Sequence, residues 1–358
     1  MDLSMTSRPV KRFLSAYKTH AIQLSWEFSY VDRRSKPNRF VKDITRPQRT
    51  YMTLTLTFGN DKEEEEEEEY EKKEEVENFH FYILKHTDIE DPYDGVVKQD
   101  YVRTINGVKA SLAMRKRKNP VEFEIGGEST ATDLKFLESL TEHFKSIFYI
   151  DAYNVIHTGS FISDFFQSFI WNYRGNKFGK LHIDPYMRGM KCNEDQMKMI
   201  FNEVEVDDLY LKLRSNCEPI HGLNLNSRKL TLKNSKFLSF DDVLDAKCEE
   251  IEITFPHRLN ADDHLVKTVS AWKTGEKLKN LKRLKFESGD WNGEGHEEDK
   301  TAFFEKVRSL GIIRHESIEN KGYVDRDTDE AVALLEYDGK EFKISDDSDE
   351  EDESEDDE

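Results

Sequence analysis

Cysteine is scarce in this sequence of 358 residues, which contains three, at positions 192, 217 and 248. Their odd number and wide spacing, with no Cys-x-x-Cys pair, give no sign of a disulfide framework or a zinc site. Long apolar runs are also missing, since the most apolar stretch, residues 161–171, is too short and too polar to cross a bilayer. The N-terminus has no apolar signal-peptide core. We therefore expect a cytoplasmic or nuclear protein without a membrane partner.

Motifs of catalysis and metal binding are lacking as well. In the segment 175–180, GNKFGK, three residues separate the glycines and Leu181 replaces the hydroxyl residue of a phosphate-binding loop, so we interpret it as a turn. The paired acids Asp207-Asp208 and Asp241-Asp242 are more typical of caps than of acid-base pairs. The histidines lack the spacing of metal ligands; they are His80, His86, His182, His257 and His264. Nothing here argues for an enzyme or a cofactor.

Two segments hold the excess acidity. Residues 61–77 contain twelve acids and three lysines, and residues 345–358 contain eleven acids and no base. Subtracting their charges of −9 and −11 from the total of −20 leaves a neutral body. Both segments have too little apolar surface to join a core, so we expect a disordered loop at 61–77 and a disordered tail at 345–358. Their charge repels phosphate, which disfavours nucleic acid as a partner. In the tail, Ser345, Ser348 and Ser354 are candidate sites for an acidophilic kinase, and an unmodified solubilising tail is the alternative.

Alternating apolar residues predict antiparallel strands in an N-terminal region, residues 21–127. The strands are predicted at 22–28, 51–58, 79–84, 102–114 and 121–125. The basic segment 115–120 has two interpretations, a charged turn between strands or a nuclear-localisation patch, and Asn119-Pro120 favours the turn.

From residue 128 to 344 the pattern changes between helix and strand. Thr130 and Asp133 predict a capped helix that presents Leu134, Leu137, Leu140 and Phe144, while residues 161–171 predict a central apolar helix. Asn193 predicts the N-cap of another helix. Strands are predicted around positions 148, 181, 209, 230, 251 and 284, at intervals of 21 to 33 residues that fall near the leucine-rich-repeat range.

The fold class predicted from these patterns is α/β (α+β overall). An N-terminal antiparallel β region is followed by an irregular leucine-rich-repeat-like array of parallel strands. The array is predicted to end with a helix at 299–312 and a hairpin at 331–344 that turns at Asp338-Gly339.

The segment 228–286 carries the clearest pattern. Leu230/Leu232, Ile251/Ile253 and Leu284/Phe286 are spaced two apart, as in strands. Between the last two strands, residues 260–274 predict a helix behind a possible Asn260 cap, with Gly275 as its stop. Its apolar face consists of Leu265, Val269 and Trp272.

This segment resembles the type 2 F-box-associated domain of nematode F-box proteins. The resemblance covers about sixty residues and rests on an ordered set with mostly retained spacing: Leu230, Leu232, 234–237, 241–244, Cys248, Ile251, Ile253, Leu259, Trp272, Gly275, Leu281 and Leu284. It departs from the family at Phe237, where Trp is usual, and at 264–267, where an Asn-aromatic-Leu-Lys run is usual. The resemblance implies an F-box-associated domain at about residues 212–288.

Residues 3–14 resemble the second half of an F-box, within a segment predicted to span residues 1–20. Leu3, Met5, Val10, Phe13 and Leu14 match the turn and the basic, apolar last helix of that motif. The first half is not found before Met1, so the box is degenerate or the gene prediction is truncated. The alternative is an ordinary N-terminal helix that packs on the next domain.

Together, the resemblances imply a substrate-recognition subunit of a cullin-based (SCF-type) ubiquitin ligase. The five N-terminal residues would bind a Skp-type adaptor, and the repeat region would select a target protein that the sequence does not identify. The alternative is a stand-alone protein-binding module that has lost ligase coupling. Its acidic segments would bind basic partners such as histones or ribosomal proteins.

Overall fold

Helices and strands are mixed throughout the described part of the chain, which is therefore α/β overall, as predicted. The computed structural model describes residues 22–31, 49–58, 77–85, 99–105, 108–116, 121–127, 130–148, 150–158, 165–175, 177–184, 191–215, 219–256, 264–289, 296–311, 313–314, 320–329 and 331–346. The chain forms two compact units, Met1–Arg188 and Gly189–Glu358.

The first unit contains strands β1 to β8 and helix α1. The strands are β1 Ile22–Val31, β2 Arg49–Phe58, β3 Glu77–Lys85, β4 Gln99–Ile105, β5 Val108–Lys116, β6 Val121–Gly127, β7 Ile150–His157 and β8 Phe178–Ile183. Helix α1 is Thr130–Ile147, and two 3-10 turns, Phe165–Gln167 and Phe169–Tyr173, precede β8.

The strands of the first unit lie in the order β8-β7-β1-β2-β3-β6-β5-β4. The pairs β1/β2, β2/β3, β5/β6 and β4/β5 are antiparallel, as predicted. Two parallel pairs, β3/β6 and β1/β7, were not predicted. Because β1 pairs with β7, the strands after residue 127 share a sheet with the N-terminal strands, and the division between compact units lies later in the chain.

The predicted strand at 102–114 is wrong. Two antiparallel strands, β4 and β5, replace it, with Ile105 opposite Val108. The missed signal is Asn106-Gly107, a pair typical of a two-residue hairpin connection. The next hairpin pairs Lys116 with Val121, so the basic segment 115–120 connects adjacent strands, as the turn interpretation predicts.

Aromatic side chains fill the core of the first unit. The Trp26 ring stacks on Tyr153 with centroids 5.2 Å apart, and the Trp26 Nε1 donates to Thr141 Oγ1 of α1 at 3.0 Å. The buried apolar residues of α1 are Phe136, Leu137, Leu140 and Phe144, whereas Leu134 is half-buried. Strands β7 and β8 pair in parallel, as predicted, although β7 begins at Ile150 rather than at 148.

The helix predicted at 161–171 has another form. Its described residues make two 3-10 turns instead of an α-helix, and residues 161–164 lie outside the described residues. Ser168, between the turns, is extended (φ −69°, ψ 158°), which interrupts the helix. The predicted burial is confirmed, since Phe165, Ile170 and Trp171 are buried.

The second unit contains strands β9 to β18 and helices α2 to α5. The strands are β9 Lys191–Cys192, β10 Val206–Lys212, β11 Arg214–Ser215, β12 Lys229–Lys233, β13 Glu250–Phe255, β14 Arg283–Ser288, β15 Ile313–Arg314, β16 Lys321–Asp325, β17 Val332–Tyr337 and β18 Glu341–Asp346. The helices are α2 Glu194–Lys198, which continues as a π-helical turn Met199–Glu203, α3 Phe240–Leu244, α4 Val266–Thr274 and α5 His296–Arg308.

Four parallel strands, β10, β12, β13 and β14, form one half of this unit's sheet, and the order β14-β18-β17-β16-β15 continues it with antiparallel pairs. The register aligns Leu230, Ile251 and Leu284 in one row. The next row contains Leu232, Ile253 and Phe286, and all six side chains are buried. The predicted parallel strands and their shared apolar face are confirmed, whereas the likeness to leucine-rich repeats stays a prediction.

Capping residues explain where two helices begin and end. Asn193 Oδ1 accepts from the backbone N of Gln196 at 2.8 Å, and Gln196 Oε1 accepts from the backbone N of Asn193 at 3.0 Å. This capping box confirms the predicted N-cap. Helix α4 ends at Gly275, which is left-handed (φ 65°), as predicted. The predicted cap Asn260 lies outside the described residues.

Aromatic rings join the helices to the apolar face of the sheet. The Phe240 ring of α3 lies 6.2 Å from Phe286 of β14, and the Phe303 ring of α5 lies 5.6 Å from Phe342 of β18. The predicted final helix and hairpin are thus present as α5 and β17/β18. The predicted start of a disordered tail at residue 345 is too early, because Ser345 and Asp346 still pair within β18. At the other acidic segment, Glu77 is the first residue of β3, and residues 61–76 lie outside the described residues.

Candidate interaction surface of the second unit

The five residues predicted to bind an adaptor, Leu3, Met5, Val10, Phe13 and Leu14, all lie outside the described residues. The structure therefore neither brings them together nor separates them. Their role stays a prediction from the sequence.

The paired acids have structural partners. The Asp242 carboxylate accepts hydrogen bonds from the backbone N of Gly222 at 3.1 Å and of Leu223 at 3.2 Å. Asp207 Oδ2 accepts from Arg228 Nε at 3.3 Å. Asp242 thus caps a neighbouring loop rather than its own helix, and both acids serve the packing of consecutive strand units.

The glycine segment 175–180 is a turn followed by a strand, as predicted. Gly179 lies inside β8, where an added Cβ would approach Asn154 Oδ1 to 2.9 Å. That glycine therefore serves close packing within the sheet rather than binding a phosphate.

Histidine and cysteine side chains in the described residues lie mostly in the packed interior. His264, before α4, lies 4.6 Å from the Phe240 ring, and His157 lies buried 4.7 Å from the Phe165 ring. Burial lowers the pKa of His157 and raises the pKa of the Cys248 thiol to about 12. Among the described residues no three His, Cys, Asp or Glu side chains are grouped to hold a metal ion.

The polar face of the parallel strands forms a continuous charged surface. On each strand the residues between the buried apolar ones project to the opposite side of the sheet. This charged face consists of Lys229, Lys233, Glu250, Glu252, Arg283, Lys285, Glu287, Glu341 and Lys343. All are exposed or half-buried. The sheet therefore carries one face for its core and one face for solvent or for a partner.

Opposite charges alternate from strand to strand across the charged face. Lys229 pairs with Glu250 at 2.9 Å, and Lys285 pairs with Glu341 at 2.7 Å. The hydrogen bond from Lys285 to Glu341 raises the pKa of Lys285. For Glu341, partial burial acts to raise the pKa, but hydrogen bonds from Lys285 and Lys343 outweigh it and lower the pKa overall. Such exposed pairs contribute about 0–1 kcal/mol each, so a partner's charges can replace them at little cost.

A second feature, the amino-edge cavity, lies where β13 and β14 begin. It has a volume of about 380 Å³ and is lined by Glu249, Trp272, Lys279, Asn280, Leu281, Lys282, Arg326, Asp329 and Ala331. The Arg326 guanidinium lies 4.4 Å from the centre of the Trp272 ring. Its Nη1 donates to the carbonyl oxygen of Lys279 at 3.3 Å and to Asp329 Oδ2 at 3.1 Å. The cavity wall is thus held in place by one buried arginine.

The loop that supplies Arg326 is fixed to the end of α4. The backbone N of Asp327 donates to the carbonyl oxygen of Lys273 at 2.8 Å, and Lys273 Nζ lies 2.6 Å from Asp327 Oδ1. Thr328 lies so close to Gly275 that an added Cβ would approach its Oγ1 to 2.3 Å. Gly275 therefore serves two purposes, the left-handed helix end and the close approach of this loop.

Sequence reasoning found Trp272 and Gly275 but missed Arg326. No local pattern marks an arginine that pairs with a helix far away in the sequence. The charged face had a usable signal, because its members are the polar residues that alternate with the predicted strand anchors.

No helix among the described residues is long and apolar enough to cross a membrane.

Comparison with known proteins does not place the chain in a family. No protein-family model, curated protein or solved structure matches it.

Proposed function

We propose that this chain is a non-catalytic protein-interaction subunit that selects a target protein for a cullin-based ubiquitin ligase. The observation that carries the proposal is the ordered set of residues in segment 228–286 that resembles the type 2 F-box-associated domain. In the ligase, residues 3–14 contact a Skp-type adaptor, and the second unit contacts the target.

The positions of the resembling residues support a shared fold. Leu230, Ile251, Leu284 and Trp272 are all buried within the second unit, as are Phe237 and Cys248. Core positions restrict sequence through packing, so a chain that resembles a family at these positions has a core of similar shape. The target-binding residues would then lie outside this set, on the charged face and the loops.

The charged face supports an interaction role. It is broad, polar and built on rigid strands, and its surface ion pairs can be exchanged for those of a partner. A protein target with complementary alternating charges fits this surface better than a small molecule, which needs a concave and largely apolar site.

A second function remains a candidate because the F-box resemblance covers residues 3–14 alone. It is a stand-alone module that binds a basic protein through its acidic segments, with no adaptor. The ten acids among residues 347–358 favour such a partner.

Affinity purification from cells that express the adaptor and the cullin tests the proposal. The tagged chain would be compared with a version extended by a complete upstream half-box, and with Val10→Asp/Phe13→Asp in the extended version as matched control. We expect adaptor and cullin with the extended version and neither with the control. Recovery of basic proteins alone, without adaptor, by both the native and the extended chain would support the stand-alone function instead.

A further inference from the structure

The connection between α4 and β14 is strongly basic. Lys277, Lys279, Lys282 and Arg283 are all exposed, and no acid occurs from residue 277 to 285. We call these four residues the basic edge. Two of them, Lys279 and Lys282, also line the amino-edge cavity.

The chain enters its acidic C-terminal segment beside this basic edge. Strand β18 runs antiparallel to β14 and places Ser345 opposite Arg283. One residue later β18 ends at Asp346, and the remaining twelve residues contain ten acids and no base. A segment of this length reaches up to about 40 Å when extended, so its carboxylates can reach every residue of the basic edge.

Local acids already engage part of the basic edge. Lys277 lies 2.8 Å from Asp245, and Lys282 lies 2.9 Å from Glu249. Asp329 is engaged by Arg326 at 3.1 Å. Lys279 has no ion pair among the described residues. Exposed pairs of this kind are weak, and a tethered segment with a local concentration of about millimolar competes with them.

We propose that residues 347–358 bind across the basic edge of their own chain and cover the amino-edge cavity. The carboxylates of the segment pair with Lys279, Lys282 and Arg283. In this arrangement the basic edge is closed to external acidic peptides until a basic partner takes the segment away. The contact is independent of any ligase role, because it involves neither residues 3–14 nor the adaptor.

Paramagnetic broadening in the full chain tests the contact. A nitroxide would be attached to Cys at Glu358→Cys in a Cys217→Ser background, since Cys192 and Cys248 are buried. We expect the strongest broadening at the amides of Lys279 and Lys282, and its loss in about 0.5 M NaCl, where the Debye length falls below about 5 Å.

Charge-removing variants that keep the reporting amides supply the control. Lys279→Gln/Lys282→Gln/Arg283→Gln should lower the occupancy of the contact roughly tenfold, the effect of losing three exposed ion pairs. Lys236→Gln/Lys267→Gln, exposed at the opposite ends of the same strand units, should leave it unchanged. Equal broadening at both edges, or no response to the triple variant, would overturn the proposal. Broadening that arises only between mixed labelled and tagged molecules would also overturn it, and would identify an external acidic segment as the occupant.

Discussion

The Arg326 guanidinium lies 4.4 Å from the centre of the Trp272 indole and joins the loop after β16 to the end of α4. Trp272 is 3% exposed and Arg326 is 9% exposed, so this cation–π contact is largely screened from water. The same guanidinium donates to the carbonyl oxygens of Lys279 and Leu281, at 3.3 and 3.5 Å. One side chain thus connects the helix, the basic edge and the terminal hairpin.

Replacing Trp272 tests how much the core of the second unit depends on this ring. We expect Trp272→Ala to lower the free energy of unfolding by about 3–5 kcal/mol, because a buried aromatic ring leaves a cavity. Urea denaturation measures the loss. Lys267→Ala, exposed on the same helix, is the control and should change it by less than about 0.5 kcal/mol. A loss for Trp272→Ala as small as that of the control would contradict the assigned packing.

A double-mutant cycle isolates the contact between the two residues. With Trp272→Leu and Arg326→Met, we expect a coupling free energy of about 0.5–2 kcal/mol, the range for a cation over an indole face. Additive effects of the two substitutions would show that the stacking contributes nothing, even if each single variant is destabilised.

Gly275 should tolerate no side chain. Gly275→Ala places a Cβ at φ 65° and 2.3 Å from Thr328 Oγ1, so we expect a loss of about 1–2 kcal/mol from the left-handed backbone and more from the clash. Thr328→Ala in the same chain should recover the part caused by the clash and leave the backbone part. Thermal or urea unfolding of both variants separates the two, and an unchanged stability of Gly275→Ala would refute this account.

The sequence predicts the second unit better than the first because its strands alternate cleanly and its helices carry local caps. Asn193, Gly275 and the rows through Leu230 and Ile251 can be found from spacing alone. The parallel pairing of β1 with β7 depends on contacts between distant segments, which no local period reveals. The stacking of Arg326 on Trp272 is hidden for the same reason, since an arginine in a polar turn looks like any surface residue.

Acid should weaken the charged face through Glu341. Its pKa lies below the ordinary value of 4.5, because the hydrogen bonds from Lys285 and Lys343 outweigh its partial burial. A depressed pKa adds stability above the ordinary value, and that stability is lost as the pH falls through the lowered pKa. We therefore expect Glu341→Gln to be less stable than the native chain near neutral pH but to lose less stability on acidification to about pH 3. Parallel curves for the two chains across this range would contradict the assignment.

Adaptor affinity is the most direct test of the proposed ligase role. An F-box contacts its adaptor through apolar helix surfaces along its whole length, and residues 3–14 match only the second half, so much of the usual contact area is missing from the match. Calorimetric titration of a Skp-type adaptor would compare the native chain with the version extended by a complete half-box. We predict tight binding by the extended version and much weaker binding by the native chain. Equal, tight binding by the two would show that residues 3–14 suffice, whereas an extended version that does not bind would contradict the ligase role itself.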